Sequence, residues 1–149
     1  MSNLVLNKES MPRVAMDFMN DVHEQDIDIV NDLYASALEY EKNPSAESKT
    51  ALMSKYSAWF EHTIEHFQGE EVLMIEKKFP PYPMHKSEHD NALARMDDVY
   101  RNFEKDGDIA ALKQYLSQTV PQWFVQHVQS MDTVTAMFFS SGMSPCSMR

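Results

Sequence analysis

The sequence predicts an all-α protein, an up-down-up-down four-helix bundle with an N-terminal arm, and three observations point to it. Long stretches carry apolar residues at intervals of three and four, the period of a helix that buries one face. The chain of 149 residues has only 3 Gly, and the alternating Val, Ile and Thr runs typical of strands are few. The breaks between the periodic stretches are short, and short connections make consecutive helices antiparallel neighbours.

The breaks themselves separate the four helices. The stretch 42–44 ends the first helix at a proline, which cannot donate to the helical ladder. Prolines at positions 80, 81 and 83 force the second turn, and Gly107 followed by Asp108 provides a helix end and a new N-cap. Pro121 predicts a kink or a restart inside the last helix. We therefore expect helices over about 20–41, 45–79, 84–105 and 109–139.

The two ends of the chain lack the helical period. Residues 1–19 are expected to form an arm that lies over the bundle, and the small polar residues 140–149 a fraying tail. No linker or repeat interrupts the chain, so residues 1–149 are expected to form a single domain. No long exposed apolar stripe is evident, and this favours a monomer.

Composition and charge exclude several classes of function. The formal net charge is −10, which repels phosphate backbones and anionic lipid, so we expect no nucleic-acid or membrane partner. No apolar run approaches the ~20 residues of a membrane span, and the first residues do not form a secretory signal. Cys146 is the only cysteine, which excludes a disulfide framework or a thiolate zinc finger within the chain. A cytoplasmic protein is expected.

Histidines give the first indication of a site. All six lie in predicted helices, and five lie within the apolar, inward-facing stripe of their helix. A single histidine on such a face is usually a hydrogen-bonded core residue. Five neutral imidazoles in one core are difficult to satisfy without a metal ion, because each buried ring needs hydrogen-bond partners. The five are His23, His66, His85, His89 and His127.

Two carboxylates accompany these histidines. Glu70 follows His66 by four residues, which places both on one face of a helix, and Asp132 follows His127 by five. A buried carboxylate is costly unless it is paired or bound to a metal, whereas other acidic residues are expected on solvated helix edges. Those on solvated edges are Glu71, Glu76 and Glu88.

The number of donors indicates two metal ions. Five imidazoles and two carboxylates exceed the four ligands of one zinc ion. They suit two first-row metals, and imidazole-rich sites suit iron. The ferritin-like arrangement needs Glu three residues before His, and no histidine in this sequence has it. The sequence therefore favours a helical di-iron site of another kind.

With these segments in their order, the chain resembles the hemerythrin family, and within it the single-domain bacterial hemerythrins. The resemblance covers about 20–139. It rests on His23 with Asn31-Asp32-Leu33-Tyr34, on His66-Phe67-Gln68-Gly69-Glu70-Glu71 with Met74, on Tyr82-Pro83 with His85 and His89, and on Trp123, His127 and Asp132.

The resemblance implies a non-heme di-iron site that binds dioxygen reversibly. It implies that one iron is held by three histidines, His85, His89 and His127. The other iron, which keeps an open position for dioxygen, is held by His23 and His66. Glu70 and Asp132 bridge the two irons together with a solvent-derived oxo or hydroxo group.

The walls of a dioxygen pocket are expected near the open iron. Trp123, Phe124 and Val128 lie a turn or less from His127, and Ile27 lies one turn past His23. They are the candidate wall residues, and plain core packing is the alternative for each.

Two residues depart from the family pattern. Asp26 stands where the family usually has Leu, and we interpret it as a polar group of the pocket or an acceptor for a ligand histidine. The alternative is a carboxylate that turns toward the rim. His62 stands near a position where Tyr is common, and it is expected to pack or to hydrogen-bond near the site rather than to bind metal.

The expected function is therefore an oxygen carrier or store and not an enzyme. The first alternative is a sensor of dioxygen, nitric oxide or redox state, which the lack of a fused output domain weakens. A di-iron enzyme that consumes peroxide is the second alternative, and Asp26 and His62 keep it open. Iron handling is a weaker third possibility, because few surplus carboxylates lie near the expected site.

Overall fold

The structure, a computed structural model, describes residues 6, 8 and 17–141. Three uninterrupted α-helices come first, α1 (Asp17–Lys42), α2 (Ala46–Glu76) and α3 (Tyr82–Asp106). The fourth helix, α4 (residues 109–141), is α-helical over Ile109–Gln114, Val120–His127 and Thr133–Ser141, with π-helical turns at Tyr115–Thr119 and Val128–Asp132. The expected four-helix bundle is confirmed.

Local signals in the sequence set the helix ends. Ser45 is the N-cap of α2 and accepts from the backbone N–H of Ser48 at 3.0 Å, while its own N–H donates to Ser48 Oγ. Gly107 ends α3 in the left-handed conformation at φ 66°, where glycine is favoured. Asp108 caps α4 by accepting from Ala111 N at 3.1 Å. These turns are those that the sequence predicted.

The expected bounds were wrong by a few residues, and the last helix continues to Ser141, past the expected end near position 139. Helix α1 starts at Asp17 rather than near position 20, and α2 ends at Glu76 rather than near position 79. Helix α3 starts at Tyr82, because Pro83 is compatible with a first helical turn, where its missing N–H has no partner to lose. Pro121 likewise lies in the first turn of the α-helical segment that restarts after a π-helical turn.

The four helices surround one core. Helix α1 packs against α2 and α4, and α3 packs against the same two helices. Leu33, Leu52, Met74 and Leu116 are among the large side chains at 1% exposure or less. Within the described residues, no helix combines the length and the apolar content needed to cross a bilayer.

The N-terminal arm is described at two positions. Leu6 is buried and exchanges two hydrogen bonds with Asn31, at 3.1 and 3.0 Å, and Lys8 pairs with Asp28 on the surface at 3.0 Å. At these two positions the chain lies on α1, as expected for an arm. The rest of the arm, and the tail from position 142 onward, lie outside the described residues.

Candidate metal centre

The seven predicted metal ligands come together in the middle of the bundle. Each helix contributes at least one, and every one of their side chains is buried. Two groups could each hold an ion. They are Glu70, His85, His89, His127 and Asp132 in the first, and His23, His66 and Glu70 in the second. Glu70 belongs to both groups.

The three-histidine group has converging nitrogens. The Nε2 atom of His127 lies 3.2 Å from Nε2 of both His85 and His89. Asp132 Oδ1 lies 3.0 Å from His85 Nε2 and 3.1 Å from His127 Nε2, and Glu70 Oε1 lies 3.5 Å from His89 Nε2. Five ligand atoms therefore point at one small volume.

The two histidines of the second group face the other oxygen of Glu70 and of Asp132, although Asp132 itself belongs only to the first group. Glu70 Oε2 lies 2.9 Å from His66 Nε2, and Asp132 Oδ2 lies 3.0 Å from His23 Nε2. Each carboxylate thus turns one oxygen toward each histidine group. This division is compatible with the bridging positions that were predicted for Glu70 and Asp132.

A π-helical turn brings Asp132 onto the face of His127. In a regular α-helix, residues five apart lie about 140° apart around the axis. The π-helical turn Val128–Asp132 adds a residue to the turn, so the two side chains meet despite their spacing of five. The local irregularity of α4 therefore positions one of the two carboxylates that were predicted to bridge the metals.

Each ring of the three-histidine group also contacts a residue on the side away from the centre, which we call its outer partner, and these partners set the tautomers of the rings. His89 Nδ1 lies 2.9 Å from Glu71 Oε2, and His127 Nδ1 lies 2.6 Å from Glu88 Oε1. An ionised carboxylate only accepts hydrogen bonds, so both Nδ1 atoms donate and both Nε2 atoms turn lone pairs inward.

A hydroxyl has the same effect on the third ring. Thr135 Oγ1 donates its proton to the carbonyl of Met131 at 2.9 Å, so at 2.8 Å it accepts from His85 Nδ1. When all three rings are neutral, three lone pairs face one another at short range, an arrangement that a cation stabilises. The residues present therefore fit a metal ion.

Two expectations about acidic residues need correction. Glu71 and Glu88 were expected on solvated edges, but they hold two of the ligand histidines. Their side chains are only 14% and 31% exposed, because each reaches along the helix surface to a buried ring. Glu76 is exposed, as expected. The spacing of residues along a single helix cannot predict the contacts of Glu71 and Glu88, because each contact joins two different helices.

Buried carboxylates and imidazoles in the site shift one another's pKa. Burial by itself raises the pKa of Asp132, but His127, His23 and His85 hold it well below the ordinary value. Burial by itself lowers the pKa of His127, yet Asp132 and Glu88 raise it overall. For His89, burial and then the neighbouring imidazoles of His85 and His127 lower the pKa to about 2. In the absence of metal, protons on some rings balance the buried carboxylates.

Aromatic rings cover the outer side of the three-histidine group. Phe67 stacks on His89 with ring centroids 3.8 Å apart and planes within 3°, and Trp123 stacks on His127 at 4.5 Å and 11°. Flat apolar rings against imidazoles limit both ring rotation and the entry of water.

A cavity of about 260 Å³ adjoins the centre between α1, α2, α3 and α4. His66, His127 and Asp132 lie along it, and exposed Asn91 and Arg95 lie at its outer end. Its apolar walls include the predicted Trp123 and Phe124, together with Val30, Trp59, Phe67 and Val120.

Two of the predicted wall residues do not line this cavity. Ile27 and Val128 are at most 1% exposed and pack in the core instead. Each is directly next to a residue that does face the cavity, Asp26 or His127, so its side chain points about 100° away around the helix.

The two unusual polar residues meet beside His66. Asp26 is buried at 6% exposure, so it does not turn to the rim. Its Oδ2 lies 2.8 Å from His66 Nδ1, and its Oδ1 lies 2.8 Å from His62 Nε2. Both are ion-pair contacts, and neither is aligned as a straight hydrogen bond. His62 therefore contacts Asp26 and belongs to neither metal-binding group.

Comparison with known proteins agrees with this geometry. The family description "Hemerythrin HHE cation binding domain" matches residues 14–138. A bacteriohemerythrin of Aquifex aeolicus (strain VF5) is 31% identical over 133 residues, which cover 89% of this chain and 96% of that protein. A bacteriohemerythrin of Ralstonia nicotianae (strain ATCC BAA-1114 / GMI1000) is 39% identical over 85 residues, 57% of this chain and 61% of the relative.

More distant comparisons extend the likeness. A myohemerythrin of Sipunculus nudus is 26% identical over 120 residues, 80% of this chain and 82% of the relative. A crystal structure of a leucine-to-phenylalanine mutant has the same fold, with a TM-score of 0.72 at 21% identity, covering 95% of this chain and all of the other. The match over residues 14–138, together with a buried His, Glu and Asp cluster, shows that this chain belongs to the hemerythrin family.

Proposed function

We propose that the chain binds dioxygen reversibly at a di-iron site and acts as an oxygen carrier or store. The observation that supports this most is the division of two buried carboxylates between two histidine groups. Glu70 and Asp132 each direct one oxygen to the three-histidine group and one to the two-histidine group. Such an arrangement holds two cations at a short, fixed separation.

The residues have distinct parts in this proposal. His85, His89 and His127 would hold one iron, and His23 and His66 the other, with Glu70 and Asp132 and an oxo or hydroxo group between them. When bound, the iron pair would supply the electrons needed for reversible binding of dioxygen. Because His23 and His66 provide fewer nitrogen ligands than the other three histidines, the iron that they would hold would keep a position for the gas.

In this proposal, the protein provides a path for the gas to the metal centre and keeps water out of it. The cavity reaches His66 and Asp132 from the protein surface, so a diatomic gas can approach the two-histidine side. Its walls are largely aromatic and aliphatic, which disfavours the water that would otherwise compete for the open position. We also propose that residues 1–149 form one such domain, that it acts as a monomer, and that it works in the cytoplasm.

Spectroscopy of the iron-loaded chain tests the proposal. We expect two irons per chain and a visible absorption band that appears under air and disappears when oxygen is removed, over repeated cycles. Fewer than two irons per chain, or a colour that does not depend on oxygen, would contradict it.

A peroxide-consuming enzyme is the second candidate function. It is favoured by one observation: Asp26, which contacts His62, places a carboxylate on the wall of a cavity that is otherwise mainly apolar. Adding peroxide to the iron-loaded chain separates the two functions. A carrier reaches a stable oxidised form after one equivalent of peroxide, whereas an enzyme consumes many equivalents in the presence of a reductant.

A further inference from the structure

Asp26 is a buried carboxylate that belongs to neither group of metal-binding residues. Its two oxygens are divided between His66 Nδ1 and His62 Nε2, each at 2.8 Å. His66 in turn directs its other nitrogen, Nε2, to Glu70 at 2.9 Å. The three side chains therefore form a row that runs from the centre to His62, whose side chain is 25% exposed.

Outer partners differ between the two halves of the centre. Each ring of the three-histidine group has one, Thr135, Glu71 or Glu88. In the two-histidine half, among the residues that the structure describes, neither His23 Nδ1 nor His66 Nδ1 makes a well-aligned hydrogen bond. His66 Nδ1 faces Asp26, so the orientation of this half depends on a single carboxylate.

Burial makes the Asp26 contact energetically important. A carboxylate at 6% exposure is costly unless it faces positive or hydrogen-bonding groups. Each oxygen of Asp26 lies 2.8 Å from an imidazole nitrogen, one of His66 and one of His62, and these two contacts favour the ionised carboxylate. An ionised carboxylate 2.8 Å from a ring nitrogen favours the form of His66 with its proton on Nδ1.

We propose that Asp26 is a positioning residue for His66 and that His62 holds Asp26 in place from the outer side. With its proton on Nδ1, His66 turns the Nε2 lone pair toward Glu70 and the metal of the two-histidine half. This inference rests on the proposed di-metal function. It adds that the two halves of the centre are stabilised by different carboxylates and can be weakened separately.

Anaerobic calorimetric titration of the iron-free chain with Fe²⁺ tests this separation. The three-histidine half has more nitrogen ligands, so it fills in the first step and the two-histidine half in the second. Asp26→Leu is expected to weaken the second step by about 10- to 100-fold, the usual effect of losing such a partner, and to leave the first unchanged. His62→Gln should weaken the second step less.

A matched pair of variants provides the control. Asp26→Asn and Glu88→Gln each replace a carboxylate beside a ligand histidine with a carboxamide of the same shape. The first should weaken only the second binding step, and the second only the first step. If Asp26→Leu perturbs folding, as circular dichroism would show, the Asp26→Asn comparison carries the test, because that change preserves shape.

An NMR measurement gives a readout independent of affinity. In the diamagnetic Zn²⁺-loaded chain, the His66 Nδ1 proton should exchange slowly with solvent, and Asp26→Leu should make it exchange fast. Unchanged second-step affinity in both Asp26 variants, or unchanged exchange of that proton, would overturn the positioning role. A wild-type chain that binds fewer than two Fe²⁺ would instead overturn the proposed function, so the two failures are distinguishable.

Discussion

At the scale of single residues, the centre depends on carboxylates whose burial lowers the stability of the metal-free protein. Glu70 is 2% exposed and Asp132 1%, and each has an oxygen, Oε1 and Oδ1 respectively, that finds no hydrogen-bond partner within 17–141 or at positions 6 and 8. Such atoms are destabilising in a metal-free core and are stabilised when cations bind. The same two residues would therefore lower the stability of the empty protein and provide the negative charge that retains two irons.

The first prediction concerns Glu70. Glu70→Gln keeps the shape of the side chain but removes the charge shared by both halves, so we expect iron content to fall from two per chain to one or fewer. Glu76→Gln is the matched control, because Glu76 lies exposed on the same helix. Metal analysis after gel filtration measures both. Two irons per chain in Glu70→Gln would show that Glu70 is not needed as a bridge.

At the scale of elements, helix irregularities and connections position the ligands. The turn of prolines between α2 and α3 brings His66 and Glu70 opposite His85 and His89. The π-helical turn in α4 brings Asp132 beside His127. The helix α2, by contrast, carries Gly69 next to Glu70 with no structural need for it, because a Cβ atom added there meets nothing within 4 Å.

The second prediction uses this glycine. Gly69→Ala should raise the free energy of unfolding by about 1 kcal/mol, since alanine restricts the unfolded chain and favours helix. The site is exposed, so iron content should not change. Gly107→Ala should do the opposite and destabilise the protein, because position 107 has φ 66°. Thermal or denaturant unfolding of the three proteins measures this, and equal effects at 69 and 107 would contradict the argument.

At the scale of the whole molecule, the metal centre links all four helices. Each helix supplies at least one predicted ligand, so a bound ion connects elements that otherwise only pack. A metal that binds the folded chain in preference to the unfolded one stabilises the fold, by about 4 kcal/mol at a thousand times its Kd. We expect removal of iron to lower the melting temperature clearly.

The third prediction adds the dependence of this stabilisation on pH. Metal-bound histidines must be neutral, so their folded pKa lies below the unfolded value of ~6.5. Stability from such groups is present above that value and is lost as the pH falls. In the metal-free chain, nearby carboxylates instead raise the pKa of His66 and His127 against the effect of burial, so protons compete with metal for these rings.

The measurement compares iron-loaded and metal-free chains by calorimetry across pH. Their difference in melting temperature should be largest at about pH 7.5 and shrink steadily below ~6.5. A difference that stays constant down to about pH 5 would mean that the bound metal does not depend on neutral imidazoles.

The sequence by itself determined the helices, their antiparallel order and the set of buried donors. The spacing of apolar residues and the breaks at prolines and at Gly107 are local properties of the chain. They can therefore be recognised without knowing which helix packs against which. The inward placement of His23, His66 and the other three ring donors follows from the same period. Family membership followed from the order of these short segments, although no spacing by itself gave the roles of their residues.

Tertiary structure alone decided which side chains meet across helices. The contacts of Glu71 with His89, Glu88 with His127 and Asp26 with His62 join helices whose mutual rotation no linear pattern records. The cavity likewise runs beside Asp26 and His127, while neighbouring Ile27 and Val128 turn into the core. The physical reason is that helical period fixes which side of a helix is buried, whereas the partner of a polar group is fixed by distance and angle between packed helices.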